Sequence, residues 1–172
     1  DGMVDAVVAD GLVKERRYHR GDVHPLVVIA DQNWKSLVPP HKPLILETLT
    51  EWLAAKVGLD YLHIDPLKID FSAVTEVVSN TYAGRFKILP IQVTTREVII
   101  ATAEPFLREW EKELKPILRK DIRRVVANPQ DIARYLVEFY NLARSVKKAA
   151  AGGGEVSGLS SFEQLVELGK TN

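Results

Sequence analysis

The chain has 172 residues, 46% of them hydrophobic, with 23 lysines and arginines against 23 aspartates and glutamates. That is enough apolar material for one packed domain with a small appendage, and the zero formal charge supplies no field that would draw the protein onto nucleic acid or an anionic bilayer. The absence of cysteine excludes a disulfide framework, a thiolate nucleophile and a cysteine-ligated zinc, and no apolar run approaches the ~20 residues of a membrane span.

In chain order, Val4, Val7, Val8 and Leu12 mark a short helical stretch, followed by a charged patch from Lys14 to Asp22 and a run over residues 26–30 that reads as a strand. Pro39, Pro40 and Pro43 interrupt any regular element and set a first boundary. Beyond it, Leu46, Leu49, Trp52, Leu53 and Val57 recur at helical spacing, predicting a helix over about 47–57 that Gly58 caps. A short extended piece covers 61–64. Asp70 caps a helix with Phe71, Val74, Val77, Val78 and Tyr82 on its inner face, ending at Gly84.

Residues 86–94 and 97–103 read as a β-hairpin turning at Thr95 and Arg96, and Pro90 places the first strand at an edge or a bulge. Pro105 suits the first turn of a helix carrying Phe106, Leu107, Trp110 and Leu114, which Pro116 ends or kinks. Residues 122–127 form a strand. Asn128 and Pro129 then open the clearest helix, with Ile132, Tyr135, Leu136, Phe139, Tyr140 and Ala143 on one face, a face that reads as core.

This order predicts an α+β fold: a small, mostly antiparallel sheet packed with helices and preceded by a small N-terminal region. The expected division is an N-terminal docking region over 1–43, the α+β domain over 44–148, and a flexible linker with the start of an absent catalytic part over 149–172. Within that last stretch, the Gly- and Ser-rich residues 149–161 cannot bury enough surface to order themselves, while the apolar pattern restarts at Phe162.

The residues carry little catalytic chemistry. Gly152, Gly153 and Gly154 lack the following Lys-Ser/Thr of a phosphate loop. His19, His24, His41 and His63 stand singly, with no pair at metal-binding spacing, and read as scattered surface histidines. Asp65 and Asp70 suit turn and cap roles better than an acid and base pair, and Ser36, Ser72 and Ser79 sit in no nucleophile elbow. Two basic clusters, Lys14 to Arg20 and Arg119 to Arg124, each contain an acid and read as solvated faces, with docking onto an acidic partner as the functional alternative. Trp34, in a loop before the prolines, is the aromatic least claimed by a core pattern.

From about Leu49 to Ala143 the chain resembles the N-terminal domain of the type II secretion and type IV pilus assembly ATPases, the general secretory pathway protein E family. The resemblance rests on Leu53-Ala54 leading into Gly58-Leu59, on Ile64-Asp65 and Ile69-Asp70, on Tyr82-Ala83 with Arg85-Phe86 and Ile88-Leu89-Pro90, and on Val98 through Pro105. It continues through Val126 to Ile132 and Phe139-Tyr140, and residues 162–170 resemble the linker entering the catalytic half of such ATPases.

The resemblance implies a non-catalytic adaptor that docks a cytoplasmic motor to the inner-membrane platform. Its partner would be the cytoplasmic domain of the general secretory pathway L protein or a pilus equivalent, with neither nucleic-acid binding nor direct membrane insertion. It implies a cytoplasmic location peripheral to the bacterial inner membrane, a homohexameric parent that uses ATP and Mg, and no cofactor in this segment. Arg16, Arg17 and Trp34 are the nominated partner-binding residues, being unclaimed by core periodicity. A related subgroup binds cyclic di-GMP through two tandem motifs opening with Arg-Leu-Gly. Residues 7–13 resemble the middle of one copy, and Leu49, Leu53 and Gly58 the end of another, but neither copy here has Arg-Leu-Gly. A cyclic di-GMP sensor is therefore the alternative function.

Overall fold

The computed structural model of the chain describes residues 2–18 and 23–152, with backbone only at 15–18 and 152. Helix α1 (Ala6–Tyr18) starts at Asp5, whose Oδ1 accepts the backbone N–H groups of Val7 at 2.9 Å and Val8 at 3.2 Å. The run predicted as a strand is instead helix α2 (Pro25–Ala30). Its valines and isoleucine favour extended backbone, but two local signals outweigh them. His24 Nδ1 accepts the N–H of Leu26 at 3.1 Å, and Pro25 fills the first helical position, where its missing donor costs nothing.

Helix α3 (Leu46–Val57) ends as its sequence predicts. Gly58 takes the left-handed conformation at φ 70°, and its N–H reaches the carbonyls of Ala54 and Ala55.

Four strands follow the order β1 (Asp60–Tyr61), β4 (Asp121–Val126), β3 (Glu97–Thr102), β2 (Ile88–Val93) across one sheet. The α+β class holds, and the sheet is mixed. The β2–β3 hairpin is antiparallel, whereas β3–β4 and β1–β4 are parallel. Helix α6 (Glu109–Leu118) provides the crossover that a parallel β3–β4 pair requires. Pro90 sits where its missing N–H is tolerated, on edge strand β2 beside a register shift between Pro90 and Gln92.

Three other boundaries differ from expectation. The single helix predicted after Asp70 is two, α4 (Phe71–Thr75) and α5 (Asn80–Phe86). The Ser79 hydroxyl accepts the N–H of Tyr82 at 3.1 Å and starts a second helix, which runs through Gly84. Helix α6 begins at Glu109, four residues after Pro105, and passes Pro116, whose missing N–H removes one bond in the final turn. Helix α7 (Pro129–Gly152) continues through residues 149–152, the start of the stretch predicted as a tether; the remainder of that stretch lies outside the described residues.

The main core joins the sheet to α4, α5, α6 and α7 through Val74, Phe86, Ile88, Ile100, Trp110 and Ile132, all at most 7% exposed. Five successive residues of β3 are buried, so both faces of the sheet are covered. A second cluster of Leu26, Leu44 and Leu49 ties α2 to α3.

Candidate functional site

Of the three nominated partner-binding residues, Arg16 and Arg17 lie in the last turns of α1, their side chains outside the described residues. Trp34 is half-buried. Its side chain packs against the Leu26, Leu44 and Leu49 cluster, and its carbonyl accepts the N–H of Leu44 at 2.8 Å.

What the N-terminal region does present is a helix with exposed valines. On α1, Val7 is 81%, Val8 47% and Val13 55% exposed, and the same helix carries exposed Lys14 paired to Asp10 at 2.9 Å. The segment is anchored just before α1, where Met3 O accepts the N–H of Leu37 at 2.9 Å and Val4 packs on the second cluster.

A groove of about 710 Å³ lies between α2, α5 and α7, lined mainly by apolar groups such as Val23, Val27, Ile132, Leu136 and Val137, with Glu104 and Gln130 at its edge. His24 forms part of its wall. Because Nδ1 accepts from Leu26, the proton sits on Nε2, which donates to the Ala103 carbonyl and lies 3.6 Å from Glu104 Oε1. With 9% of its side chain exposed, His24 is a buried linker between α2 and the end of β3, and the surface reading of this histidine is corrected.

The second basic cluster is likewise built into the fold. Arg123 bridges Asp60 and Glu97, each at 3.4 Å, across three strands. Arg124, 11% exposed, donates to the Pro105 carbonyl at 2.7 Å and sits 3.4 Å from Glu111; burial lowers its pKa from the ordinary value while Glu111 raises it. Arg124 is thus no solvated face. Asp65 and Asp70 serve as caps, accepting the N–H groups of Leu67 and of Ser72 and Ala73 at 3.1–3.2 Å.

One grouping escaped sequence reasoning. His63 Nδ1 stands 3.2 Å from Glu47 Oε1, and Asp131 joins them, although 84 residues separate Glu47 from Asp131. No spacing within one element announces such a set, since each member comes from a different element. The available signal was that all three stand at element ends.

The small mixed sheet enclosed by helices is an N-terminal domain of the kind carried by type II secretion and type IV pilus ATPases, as its relatives show. Residues 57–146 match the MshEN domain, and the chain belongs to that family. Over 96% of its length it is 34% identical to the type IV pilus assembly ATPase TfpB of Acinetobacter baylyi, and it spans 30% of that relative's length. Among solved structures, that of MshE with cdg shares the fold, with a TM-score of 0.57 at 17% identity over 81% of this chain and 92% of that one. The N-terminal domain of XpsE superposes at a TM-score of 0.47 with 13% identity, over 77% of this chain and 92% of that one.

Proposed function

We propose that this domain is a non-catalytic adaptor that docks a secretion or pilus ATPase onto its inner-membrane platform. The observation carrying this reading is α1: a helix held at its N-terminal end, with Val7, Val8 and Val13 exposed and Arg16 and Arg17 following in sequence. Exposed apolar side chains on a helix whose sequence goes on into cations suit a partner that offers both apolar surface and acidic groups. The partner is the cytoplasmic domain of the general secretory pathway L protein or its pilus equivalent. Catalysis, with ATP and Mg, belongs to the rest of a hexameric parent.

No helix among the described residues is long and apolar enough to cross a membrane. In the adaptor reading, attachment at the inner membrane runs through that partner. A titration of the domain against the platform protein's cytoplasmic domain tests this. Saturable binding is expected, and its absence against every platform component overturns the reading.

A second reading, cyclic di-GMP sensing, is favoured by one observation: the shared fold of MshE, a protein whose solved structure contains cdg. Running the same titration with and without the nucleotide separates the two. Binding that appears only with nucleotide supports the sensor.

A further inference from the structure

We propose that Glu47, His63 and Asp131 form a binding site for a first-row divalent transition metal such as zinc, and that the bound ion clamps α3 to α7. One ligand atom from each residue lies within 4.8 Å of the other two. Glu47 is in the first turn of α3, His63 follows β1, and Asp131 is in the first turn of α7. These elements meet because Leu62 N–H donates to the Val126 carbonyl at 2.8 Å, which aligns the end of β1 with the strand that leads into α7.

The donor set narrows the ion. Imidazole nitrogen and carboxylate oxygen both ligate zinc, at about 2.0–2.2 Å, and three protein ligands leave a fourth position for water. Magnesium and calcium prefer oxygen alone, so the imidazole discriminates against them. Tetrahedral ligands at that radius stand about 3.4 Å apart, a spacing that His63 Nδ1 and Glu47 Oε1 already have within a few tenths of an ångström at 3.2 Å, so binding has chiefly to draw in Asp131, by roughly 1 Å. His63, with 71% of its side chain exposed, leaves the site open to an ion from solvent, while Glu47 and Asp131 are more enclosed at 30% and 20%.

The carboxylates are already oriented. Asn128 Nδ2 donates to Glu47 Oε2 at 2.9 Å, the outer contact that holds a metal-binding carboxylate in place. Arg134 contacts Asp131 Oδ1 at 3.3 Å and is the competing cation; it is 57% exposed and also donates to the Tyr135 hydroxyl at 2.8 Å, so it has a second partner when a metal takes the carboxylate. The ion would join α3, which precedes the matched residues 57–146, to α7 within them.

The test is calorimetric titration of the whole chain, stripped with EDTA, with zinc chloride and separately with magnesium chloride. One equivalent of zinc should bind, magnesium should not compete, and His63→Ala and Glu47→Gln should each weaken zinc binding by about tenfold or more. Both substitutions keep the fold available for the measurement, since His63 is largely exposed and glutamine still accepts from Asn128. The imidazole resonances of His63 should shift at one equivalent. Failure to saturate at one equivalent, or binding unchanged in His63→Ala and so held by other histidines, overturns the proposal.

Discussion

The hydroxyl of Tyr140 donates to the carbonyl of Val78 at 2.7 Å, joining the middle of α7 to the linker between α4 and α5 across 62 residues of sequence. This bond satisfies a backbone acceptor inside the core at the point where the expected single helix breaks. Tyr140→Phe keeps the ring but leaves that carbonyl unpaired, so unfolding in urea should show a loss of about 1–2 kcal/mol. An unchanged midpoint would mean that the carbonyl finds water.

The same hydroxyl sets an alkaline limit. Burial pushes the Tyr140 pKa up to about 12 from 10.0, and burial, followed by the hydrogen bond to Glu113 at 2.6 Å, raises that of Tyr82 similarly. Between these values the unfolded chain loses protons that the folded chain keeps. The contribution is therefore fully present below pH 10 and is lost as pH rises toward 12, a fall of about 2–3 kcal/mol from Tyr140 alone. Tm measured across pH 9 to 12 should drop steeply in the wild type and less so in Tyr140→Phe.

Asn128 has two tasks: its Oδ1 accepts the N–H of Gln130 at 2.9 Å as the cap of α7, and its Nδ2 donates to Glu47. Asn128→Asp preserves the cap but sets a carboxylate against another. The single variant should lose about 1–2 kcal/mol, and Glu47→Gln in the same chain should restore much of it. A double-mutant cycle in guanidinium measures the coupling, which should be near zero if the two residues do not touch in solution.

Gly58 sits at φ 70° with nothing within 4 Å of where a Cβ would be, so strain alone opposes a side chain there. Gly58→Ala should cost about 1 kcal/mol, visible as a lower Tm with unchanged circular dichroism.

On α1, Val7→Asp changes an 81% exposed side chain and should leave the stability of the domain within about 0.5 kcal/mol of wild type. It should nevertheless weaken platform binding by tenfold or more. Charge reversal at Arg16 and Arg17 should slow association and do so most at low salt. Surface-bound partner in flow reads both rates.

Elements with strong end signals were readable from sequence: Asn128-Pro129 for α7, Gly58 for the end of α3, Pro90 for an edge strand. Elements decided by competition between a local hydrogen bond and a broader pattern were not. The Val27-Val28-Ile29 run looks extended until His24 is seen capping it, and the apolar spacing through Val77 and Val78 conceals the new start at Ser79. Parallel pairing of β3 with β4 was equally hidden, because spacing shows a helix between two strands but not the direction in which the chain returns. The cluster of Glu47, His63 and Asp131 exists only once β1 has found β4.

That pairing has a consequence for how the molecule opens. β1 contributes two residues to the sheet edge, while β2, β3 and β4 contribute six each, and β1 joins its neighbour across 65 residues of chain from Asp60 to Val125. Short strands closed over long loops add little stability and assemble late. The amides of Leu62 and of the β1 edge should therefore exchange with solvent well before those of β3, as α3 and the segments ahead of it swing away while the hairpin and α7 stay intact. The domain is then a firm body with a hinged front, and whatever grips that front from outside sets how often it opens.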